Sequence, residues 1–317
     1  MKILITGITG LFGSQLARSF SKVGHIHGLK RKTSSMDLLE DIDFEIQWHD
    51  GDILDPESIA TALKDIDLVI HAAGFVSFDP SEKDDLYTIN VNGTANLVNT
   101  MLAEGVHNLI HVSSVAAIGR SSEVLRINEK HKWTESSLNT DYAISKYWGE
   151  LEAWRGEQEG LNLIVVNPSI LLAKTDGGRS STFIYNYLKD GRSFYPKGDL
   201  NYIDIRDAAD MVLKIFEKEE WGERFILNKE SIAYSEFFEL MGEVFDLTPP
   251  KREISDWLLK WVIFFQNLLY RLKLTKVALN RQTAMIAQQK IFFDNKKVMK
   301  LLEFEFRSLR ETFEWAK

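Results

Sequence analysis

Residues 1–13 read Met-Lys-Ile-Leu-Ile-Thr-Gly-Ile-Thr-Gly-Leu-Phe-Gly, a short apolar run that leads directly into glycines at positions 7, 10 and 13. A helical pattern follows from Ser14 to Ser21. A strand, a glycine-rich turn and a helix in this order predict a phosphate-binding turn, because the N-terminus of the helix faces the negative charge. Gly7 permits the sharp exit from the strand, Gly10 lets the backbone approach a pyrophosphate, and Gly13 lets the helix lie close to the sheet. Further contacts to the phosphates are expected from the remaining residues of the turn: Thr9, Leu11 and Phe12.

The same alternation continues along the first half of the chain. Apolar runs typical of strands occur at Ile3–Thr6, Ile26–Leu29, Phe44–Trp48, Leu68–His71, Leu109–Val112 and Leu163–Val166. Helical patterns fill the gaps at 11–22, 56–64, 81–104 and 142–158. Strands and helices that alternate with short links predict an α/β fold, a Rossmann-like doubly wound parallel sheet covered on both faces.

The alternation breaks down after Pro168, which suggests two parts. We expect residues 1–170 to form a dinucleotide-binding domain, to which residues 201–230 return. Residues 171–317 are expected to form a smaller substrate-binding part that is mostly helical after 231.

Composition narrows the class of protein. The 317 residues carry 38 basic and 46 acidic side chains, a net charge of −8, which argues against nucleic-acid binding. The chain has no cysteine, which excludes disulfides, thiolate catalysis and cysteine–zinc sites. No group of histidines and carboxylates suggests a metal, and His71 and His111, in predicted strands, are expected to be satisfied core residues. The predicted strand begins at residue 2 without a signal-peptide pattern, so a cytoplasmic location is expected.

Residues 257–272 form a strongly apolar segment interrupted by a few polar side chains. An uninterrupted span of about 20 apolar residues would be needed to cross a bilayer, and this run is shorter. We interpret the segment as a buried amphipathic helix, with contact to a membrane surface or to a second copy as the alternatives.

Polar groups that carry chemistry follow the predicted fifth strand. Ser113 and Ser114 come directly after it, at the edge where a doubly wound sheet binds ligands. Downstream, Tyr142 and Lys146 are four residues apart in a predicted helix, so they share one helix face. A second pair with this spacing, Tyr185 and Lys189, lies in the presumed substrate region and is interpreted as packing with a solvated lysine.

Taken in order, these motifs resemble the extended short-chain dehydrogenase/reductases, within the dihydroflavonol-reductase-like and hydroxysteroid-dehydrogenase-like branch. The motifs that carry the resemblance span essentially the whole chain: Gly7-x-x-Gly10-x-x-Gly13, Gly51-Asp-Ile-Leu-Asp55, His71-Ala-Ala-Gly74, Asn90-Val-Asn-Gly-Thr94, Ser113-Ser114, Tyr142-x-x-x-Lys146, Asn167-Pro-Ser-Ile170 and Asn201-Tyr-Ile-Asp-Ile-Arg-Asp207.

The resemblance implies roles for the catalytic candidates. Tyr142 would exchange a proton with the substrate oxygen, and Lys146 would lower the phenol pKa from its ordinary value of about 10 and hold the nicotinamide ribose. Ser114, five positions before Gly119, would hydrogen-bond the carbonyl oxygen. Ser113 would then cap the backbone. Asn90 would help to position the lysine, or it is a structural asparagine inside a helix.

The resemblance also implies the cofactor contacts. Asp52 would contact the adenine amino group and Ile53 its ring. Small residues would let the dinucleotide pass the fourth strand, and two residues after the sixth strand would lie against the nicotinamide: Ala72, Ala73 and Gly74, and Pro168 and Ser169. The second strand ends without the acidic residue expected for NAD, and Arg31 or Lys32 would meet a 2′-phosphate, unless they are ordinary surface cations. NADP(H) is therefore favoured, with NAD(H) as the alternative.

Three functions remain open. The favoured one is NADP(H)-dependent reduction of a carbonyl, or the reverse oxidation, on a small to medium organic substrate. Aromatic side chains suggest an apolar substrate face, and Phe75, Ser114 and Tyr185 are the expected substrate contacts; the other aromatic candidates are Phe78, Trp133, Phe194 and Tyr195. A nucleotide-sugar epimerase or dehydratase with bound NAD is the first alternative, although the Arg-x-x-x-Gly-Pro pattern of that group is absent. A non-catalytic NADP-binding regulator is the second.

The resemblance implies a homodimer formed through the helices predicted at 81–104 and 142–158. Apolar side chains that would supply the contact are Tyr147, Trp148, Leu151 and Trp154. No nucleic-acid partner and no stable membrane contact are expected.

Overall fold

The computed structural model describes residues 1–121, 123–174, 182–271 and 281–317. The strands are β1 Lys2–Thr6, β2 His25–Lys30, β3 Ile46–Asp50, β4 Leu68–His71, β5 Asn108–Val112, β6 Arg126–Ile127, β7 Asn162–Pro168, β8 Ile170–Leu172, β9 Phe194–Tyr195, β10 Asp199–Asp204, β11 Glu223–Leu227, β12 Glu230–Ala233, β13 Arg252–Glu253 and β14 Phe292–Phe293. The helices are α1 Leu11–Phe20, α2 Pro56–Ala62, α3 Lys83–Tyr87, α4 Gly93–Glu104, α5 Asp141–Gln158, α6 Thr182–Lys189, α7 Ile205–Glu217, α8 Tyr234–Phe245, α9 Asp256–Arg271, α10 Arg281–Ile286, α11 Lys296–Leu302 and α12 Leu309–Ala316.

The centre of the fold is a seven-stranded parallel sheet with the strand order β11-β7-β5-β4-β1-β2-β3. Ile3 pairs with Ile26 on one side of β1 and with Leu68 on the other. Ile3, Leu4 and Ile5 are fully buried, as expected for a strand covered on both faces. The predicted Rossmann-like fold is confirmed, and the strand order reverses between β1 and β4.

Helices cover both faces of this sheet. On one face, Leu16 and Phe20 of α1 pack with Met211 of α7 in a core that includes Ile3 and Ile5. On the other face, a second core joins α4, α5 and the opposite side of the strands. The two cores thus bury both faces of the sheet and leave its carboxyl edge to the connecting loops.

The helix predicted over 81–104 contains an interruption. A π-helical turn, Thr88–Asn92, separates α3 from α4 and buries Asn90. Such turns occur often at functional sites because they redirect one side chain without ending the helix. The other boundary differences are small: α1 ends at Phe20, and β3 lies two residues further along than predicted.

The C-terminal part contains a three-stranded sheet, β12-β10-β8, covered by helices. Tyr202, Phe237 and Phe313 are fully buried in its core. β10 leads into α7, and β11 then lies beside β7 at the edge of the main sheet. This connection joins the two parts through packed secondary structure.

Helix α9 exposes most of its apolar side chains. Ile263 is 8% exposed, whereas Trp257 is 69% exposed and Phe264 57% exposed. The interpretation of this segment as a buried helix is therefore wrong for that face. Over the described ranges, none of the helices combines the length and the apolar character needed to span a bilayer.

Candidate active site

The glycine-rich turn lies at the carboxyl edge of the sheet, beside the reversal of strand order. Gly7 has φ +68°, and a Cβ there would lie 2.5 Å from Ala73 Cα. A Cβ on Gly13 would lie 2.2 Å from the Gly7 carbonyl oxygen. The turn and the end of β4 are therefore in contact, and ligands bind at such a reversal in doubly wound sheets.

The next two loops reach the same edge. Asp52, after β3, accepts a hydrogen bond from the Leu54 N–H at 3.0 Å. Ile53 is buried against Gly93, where a Cβ would lie 2.6 Å from its Cδ1. Arg31 and Lys32 follow β2 directly and are exposed. Both side chains are therefore accessible to solvent.

Asn90 holds the loop after β4. Its side-chain carbonyl accepts from the Phe75 N–H at 2.7 Å, and its Nδ2 donates to the Phe75 carbonyl and to Ser145 Oγ, both at 2.9 Å. A Cβ on Gly74 would meet Asn90 Oδ1 at 3.2 Å and Lys146 Nζ at 3.9 Å. Asn90 thus holds the loop after β4 against helix α5.

The two serines after β5 have different partners. Ser113 is buried and donates to Glu150 Oε2 at 2.6 Å. Ser114 accepts from the Ala116 N–H at 3.1 Å, and its side chain interacts with the phenol of Tyr142, whose pKa it lowers. The capping role expected of Ser113 falls to Ser114, because Ser114 is the N-cap of the short helical turn Val115–Ile118.

Glu150 is the buried centre of a polar cluster that the sequence did not indicate. Besides Ser113, it accepts from Asn167 Nδ2 at 2.7 Å, from Trp154 Nε1 at 3.2 Å and from Arg224 Nη1 at 2.9 Å. Asn167 Nδ2 also donates to the Ser114 carbonyl at 2.9 Å. Glu150 lies four residues after Lys146 in the same helix, and this spacing was the feature of the sequence that could have indicated that the two side chains are close.

Lys146 is buried, and its Nζ donates to the Val112 carbonyl at 2.8 Å. Burial lowers the pKa of Lys146 to about 8, and the nearby carboxylate of Glu150 opposes that shift. The lysine therefore changes charge close to neutral pH. Since Val112 is the last residue of β5, this hydrogen bond places the Lys146 ammonium group next to the carboxyl end of that strand.

Tyr142 is partly enclosed, with the ring of Phe78 edge-on at 5.8 Å. Burial raises the pKa of Tyr142, while the hydrogen bond from Ser114 and the charge of Arg120 act in the opposite direction. The expectation that Lys146 lowers this pKa is wrong here, because the groups that favour the phenolate are Ser114 and Arg120. A high pKa keeps the phenol protonated and able to donate.

Arg120 was missed by sequence reasoning. It follows Gly119, which has a φ of +88° and where a Cβ would lie 3.1 Å from the Trp133 ring. Burial lowers the pKa of Arg120 to about 10, and the phenols of Tyr142 and Tyr234 act on it electrostatically. A lone arginine after the predicted strand end was the only sequence signal.

Several expected positions differ in the structure. Tyr185 is 1% exposed and packs against Phe245 and Phe313, so its expected contact with substrate is corrected to a core role. Phe75 is partly buried where Asn90 holds it.

The two strand histidines also differ from each other. His71 bonds Thr6 at 2.7 Å and Thr94 at 3.0 Å, as expected of a satisfied core residue. Both ring nitrogens of buried His111 lack a hydrogen-bond partner within the described residues, which corrects the expectation for that histidine.

Pro168 and Ser169 end β7 at the same edge. Ser169 is buried, and its hydroxyl has no hydrogen-bond partner among the described residues. A buried hydroxyl without a partner fits a site where a polar ligand group binds. The described residues contain no group of three or more side chains that could hold a metal ion.

Comparisons with known proteins agree with this arrangement. Residues 3–227 match the NAD dependent epimerase/dehydratase family. The chain is 30% identical over 261 residues to a Synechocystis protein that carries the name dihydroflavonol 4-reductase, covering 80% of this chain and 75% of that protein. It is 26% identical over 272 residues to a cinnamoyl-CoA reductase 1 from Oryza sativa, covering 80% and 79%.

Solved structures share the fold across nearly the whole chain. The crystal structure of gox2253 superposes with a TM-score of 0.84 at 28% identity, covering 99% of this chain and 96% of that one. A UDP-glucuronic acid 4-epimerase from Bacillus cereus in complex with NAD has a TM-score of 0.76 at 17% identity, with coverage of 99% and 96%.

Proposed function

The chain belongs to the NAD-dependent epimerase/dehydratase family, and from this membership we propose that it is an NADP(H)-dependent reductase of a small to medium carbonyl compound. Its relatives are named reductases and epimerases, so the chain is an NAD(P)-dependent enzyme. The finer assignment rests on the arrangement of its own side chains.

The observation that carries the proposal is the grouping of Ser114, Tyr142 and buried Lys146: the Ser114 side chain acts on the Tyr142 phenol, and Lys146, one helical turn after Tyr142, donates to the Val112 carbonyl at 2.8 Å. These groups stand at the carboxyl edge of the sheet, next to the glycine-rich turn. That placement supports a reaction in which a carbonyl oxygen lies between the serine and the tyrosine.

The glycine-rich turn and the hydroxyl of Ser169, which has no hydrogen-bond partner among the residues that the structure describes, fit a nicotinamide dinucleotide. When bound, such a cofactor supplies the hydride that reaches the carbonyl carbon. Tyr142 donates its phenolic proton to the carbonyl oxygen, and the C=O bond becomes C–O–H. Ser114 hydrogen-bonds the same oxygen, and the resulting phenolate is stabilised by Ser114 and by Arg120. The proton that Tyr142 loses returns from solvent.

NADP(H) is proposed over NAD(H) because of the residues after β2. Arg31 and Lys32 are exposed cations, and the acidic residue that would accept both ribose hydroxyls is absent there. The planar guanidinium of arginine suits a phosphate and can also stack on adenine. Lys30, the last residue of β2, instead forms a salt bridge with Asp50, with 3.1 Å between Nζ and Oδ1.

We also propose a homodimer, on the exposed apolar face of α5. Trp148 is 49% exposed, Leu151 37% and Ile144 36%, and these residues follow helical spacing. Two of the residues expected at this contact have partners within the chain: Tyr147 stacks on Trp133 at 4.2 Å, and Trp154 packs on the core.

The reductase proposal is tested with purified protein, NADPH and a panel of aldehydes, ketones and thioesters, followed by NADPH absorbance. Turnover with added NADPH, lost in Tyr142→Phe by about 100-fold or more while NADPH affinity stays within about twofold, is expected. Stoichiometric bound NAD and conversion of a UDP-sugar without added cofactor would instead establish an epimerase. Tight NADP binding without turnover of any carbonyl would favour a regulator.

A further inference from the structure

Arg120 lies six residues after Ser114, beyond the short helical turn Val115–Ile118. Its guanidinium lies over the ring of Phe293, 5.7 Å from the centroid, and its backbone N–H donates to Asn139 Oδ1 at 3.1 Å. The ionisable groups that act on it are the phenols of Tyr142 and Tyr234. Within the described ranges, no carboxylate lies at ion-pair distance from it.

A neighbouring arginine shows the contrast. Arg126 also lies over a ring, that of Phe292 at 4.9 Å, but its Nε donates to Asp294 Oδ2 at 2.8 Å. Arg126 is therefore neutralised by Asp294. The charge of Arg120, in contrast, has no carboxylate beside it in the part of the chain that is described. An enclosed charge without a counterion is costly, and its cost falls when an anion binds.

The groups around Arg120 indicate which class of anion could bind there. A guanidinium presents parallel N–H donors that match the two oxygens of a carboxylate. The walls beside it are the aromatic rings of Phe293 and Tyr234, which exclude water and strengthen a charged hydrogen bond. One guanidinium with phenol hydroxyls nearby suits a singly charged, planar group.

We propose that Arg120 binds a carboxylate of the substrate, so that the enzyme acts on oxo carboxylic acids. This inference rests on the proposed reductase function, since Tyr142 is both the proton donor and a neighbour of Arg120. The carboxylate would orient the molecule and place its carbonyl group at Ser114 and Tyr142. Arg120 would thus determine specificity.

The test uses full-length protein with NADPH and matched pairs of oxo acids and their methyl esters, aliphatic and aromatic. Wild type is expected to prefer each acid to its ester in kcat/KM by about 10- to 100-fold, the size of one charge-assisted hydrogen-bonded pair. Arg120→Met should remove that preference: kcat/KM for each acid should fall about 10- to 100-fold further than kcat/KM for its ester, and the fall shared by both reports the lost stabilisation of the Tyr142 phenolate. Arg126→Met is the matched control, and its acid-to-ester ratio should equal that of wild type.

Binding provides a second readout that does not depend on turnover. Isothermal titration of NADP⁺-loaded protein with the same acids and esters should show acid binding that Arg120→Met weakens by the same factor. Equal affinity for acid and ester, equal loss of both in Arg120→Met, or no acid binding at all would overturn the inference. Arg120-dependent acid binding without reduction of any carbonyl would count against the reductase function and leave the carboxylate site standing.

Discussion

Replacing Glu150 with glutamine tests whether the buried polar cluster both stabilises the fold and positions Ser114, the proposed catalytic serine. All four partners donate to this carboxylate: Ser113, Trp154, Asn167 and Arg224. A glutamine carries an NH₂ group on one side, so a donor faces donors in either orientation of the amide.

The less costly orientation places the NH₂ group toward Ser113 and Asn167. The Ser113 hydroxyl can rotate to accept a hydrogen bond from this NH₂ group. Asn167, however, must turn its side-chain carbonyl oxygen toward the same NH₂ group. That rotation breaks the bond from Asn167 Nδ2 to the Ser114 carbonyl, which is 2.9 Å long in the native structure. The substitution therefore disturbs Ser114 through Asn167.

The expected loss of stability follows from the lost charge. A hydrogen bond to a charged group contributes about 1.5–3 kcal/mol, and the guanidinium of Arg224 loses its buried counterion, so we expect a loss of about 2–4 kcal/mol. An unfolding entropy of about 2.1 cal/mol/K per residue gives about 0.7 kcal/mol/K for a chain of this length. Tm should therefore fall by about 3–6 °C.

The same substitution should shift the pH profile. Burial lowers the pKa of Lys146 and the Glu150 carboxylate raises it, and together they leave it at about 8. Without that carboxylate the pKa of Lys146 falls further, so the lysine loses its proton at lower pH. If the charged lysine holds the nicotinamide ribose, as the family resemblance implies, the basic limb of kcat/KM against pH should move to lower pH.

Thermal unfolding followed by circular dichroism and a pH series of kcat/KM measure both effects. Glu152→Gln is the control, since Glu152 pairs with Arg155 at 2.9 Å with both side chains about one-third exposed. Such a pair contributes little, and its loss should change Tm by less than about 1 °C. A Glu150→Gln protein with the Tm and the basic limb of wild type would refute the reasoning.

Three further predictions concern the cofactor, the serines and the subunit contact. Arg31→Asp should raise the Kd for NADPH at least about tenfold more than the Kd for NADH, by fluorescence titration, because it places a carboxylate at the proposed 2′-phosphate site; an equal loss for both would argue against that site. Ser114→Ala should lower kcat by about 10-fold or more and, because it removes an N-cap, lower Tm by about 1–2 °C; Ser113→Ala should lower Tm by a similar amount and reduce kcat less, and the opposite ranking of kcat would exchange their roles. Trp148→Glu should convert a dimer to a monomer in light scattering, and a wild-type monomer would contradict the proposed contact.

Two predictions from the sequence are wrong for the same reason: the chemical character of a side chain does not show what it packs against. Tyr185 has the character of a substrate contact, but its helix turns the ring into the C-terminal core. The apolar residues of α9 suggested burial, yet most of that face remains exposed. Helical periodicity shows which residues share a face, and it does not show what that face contacts.

By itself the sequence determined the glycine-rich turn, the doubly wound order of strands and helices, and the tyrosine and lysine one helical turn apart. These features are local, because strand and helix periods and backbone freedom at Gly7 depend on neighbouring residues. Only the tertiary structure decided that Ser113 is bound by Glu150, 37 residues away, and that Arg120 is enclosed beside Tyr142. Partners so distant along the chain meet only when the sheet and its helices pack, and burial then sets the charges of the site.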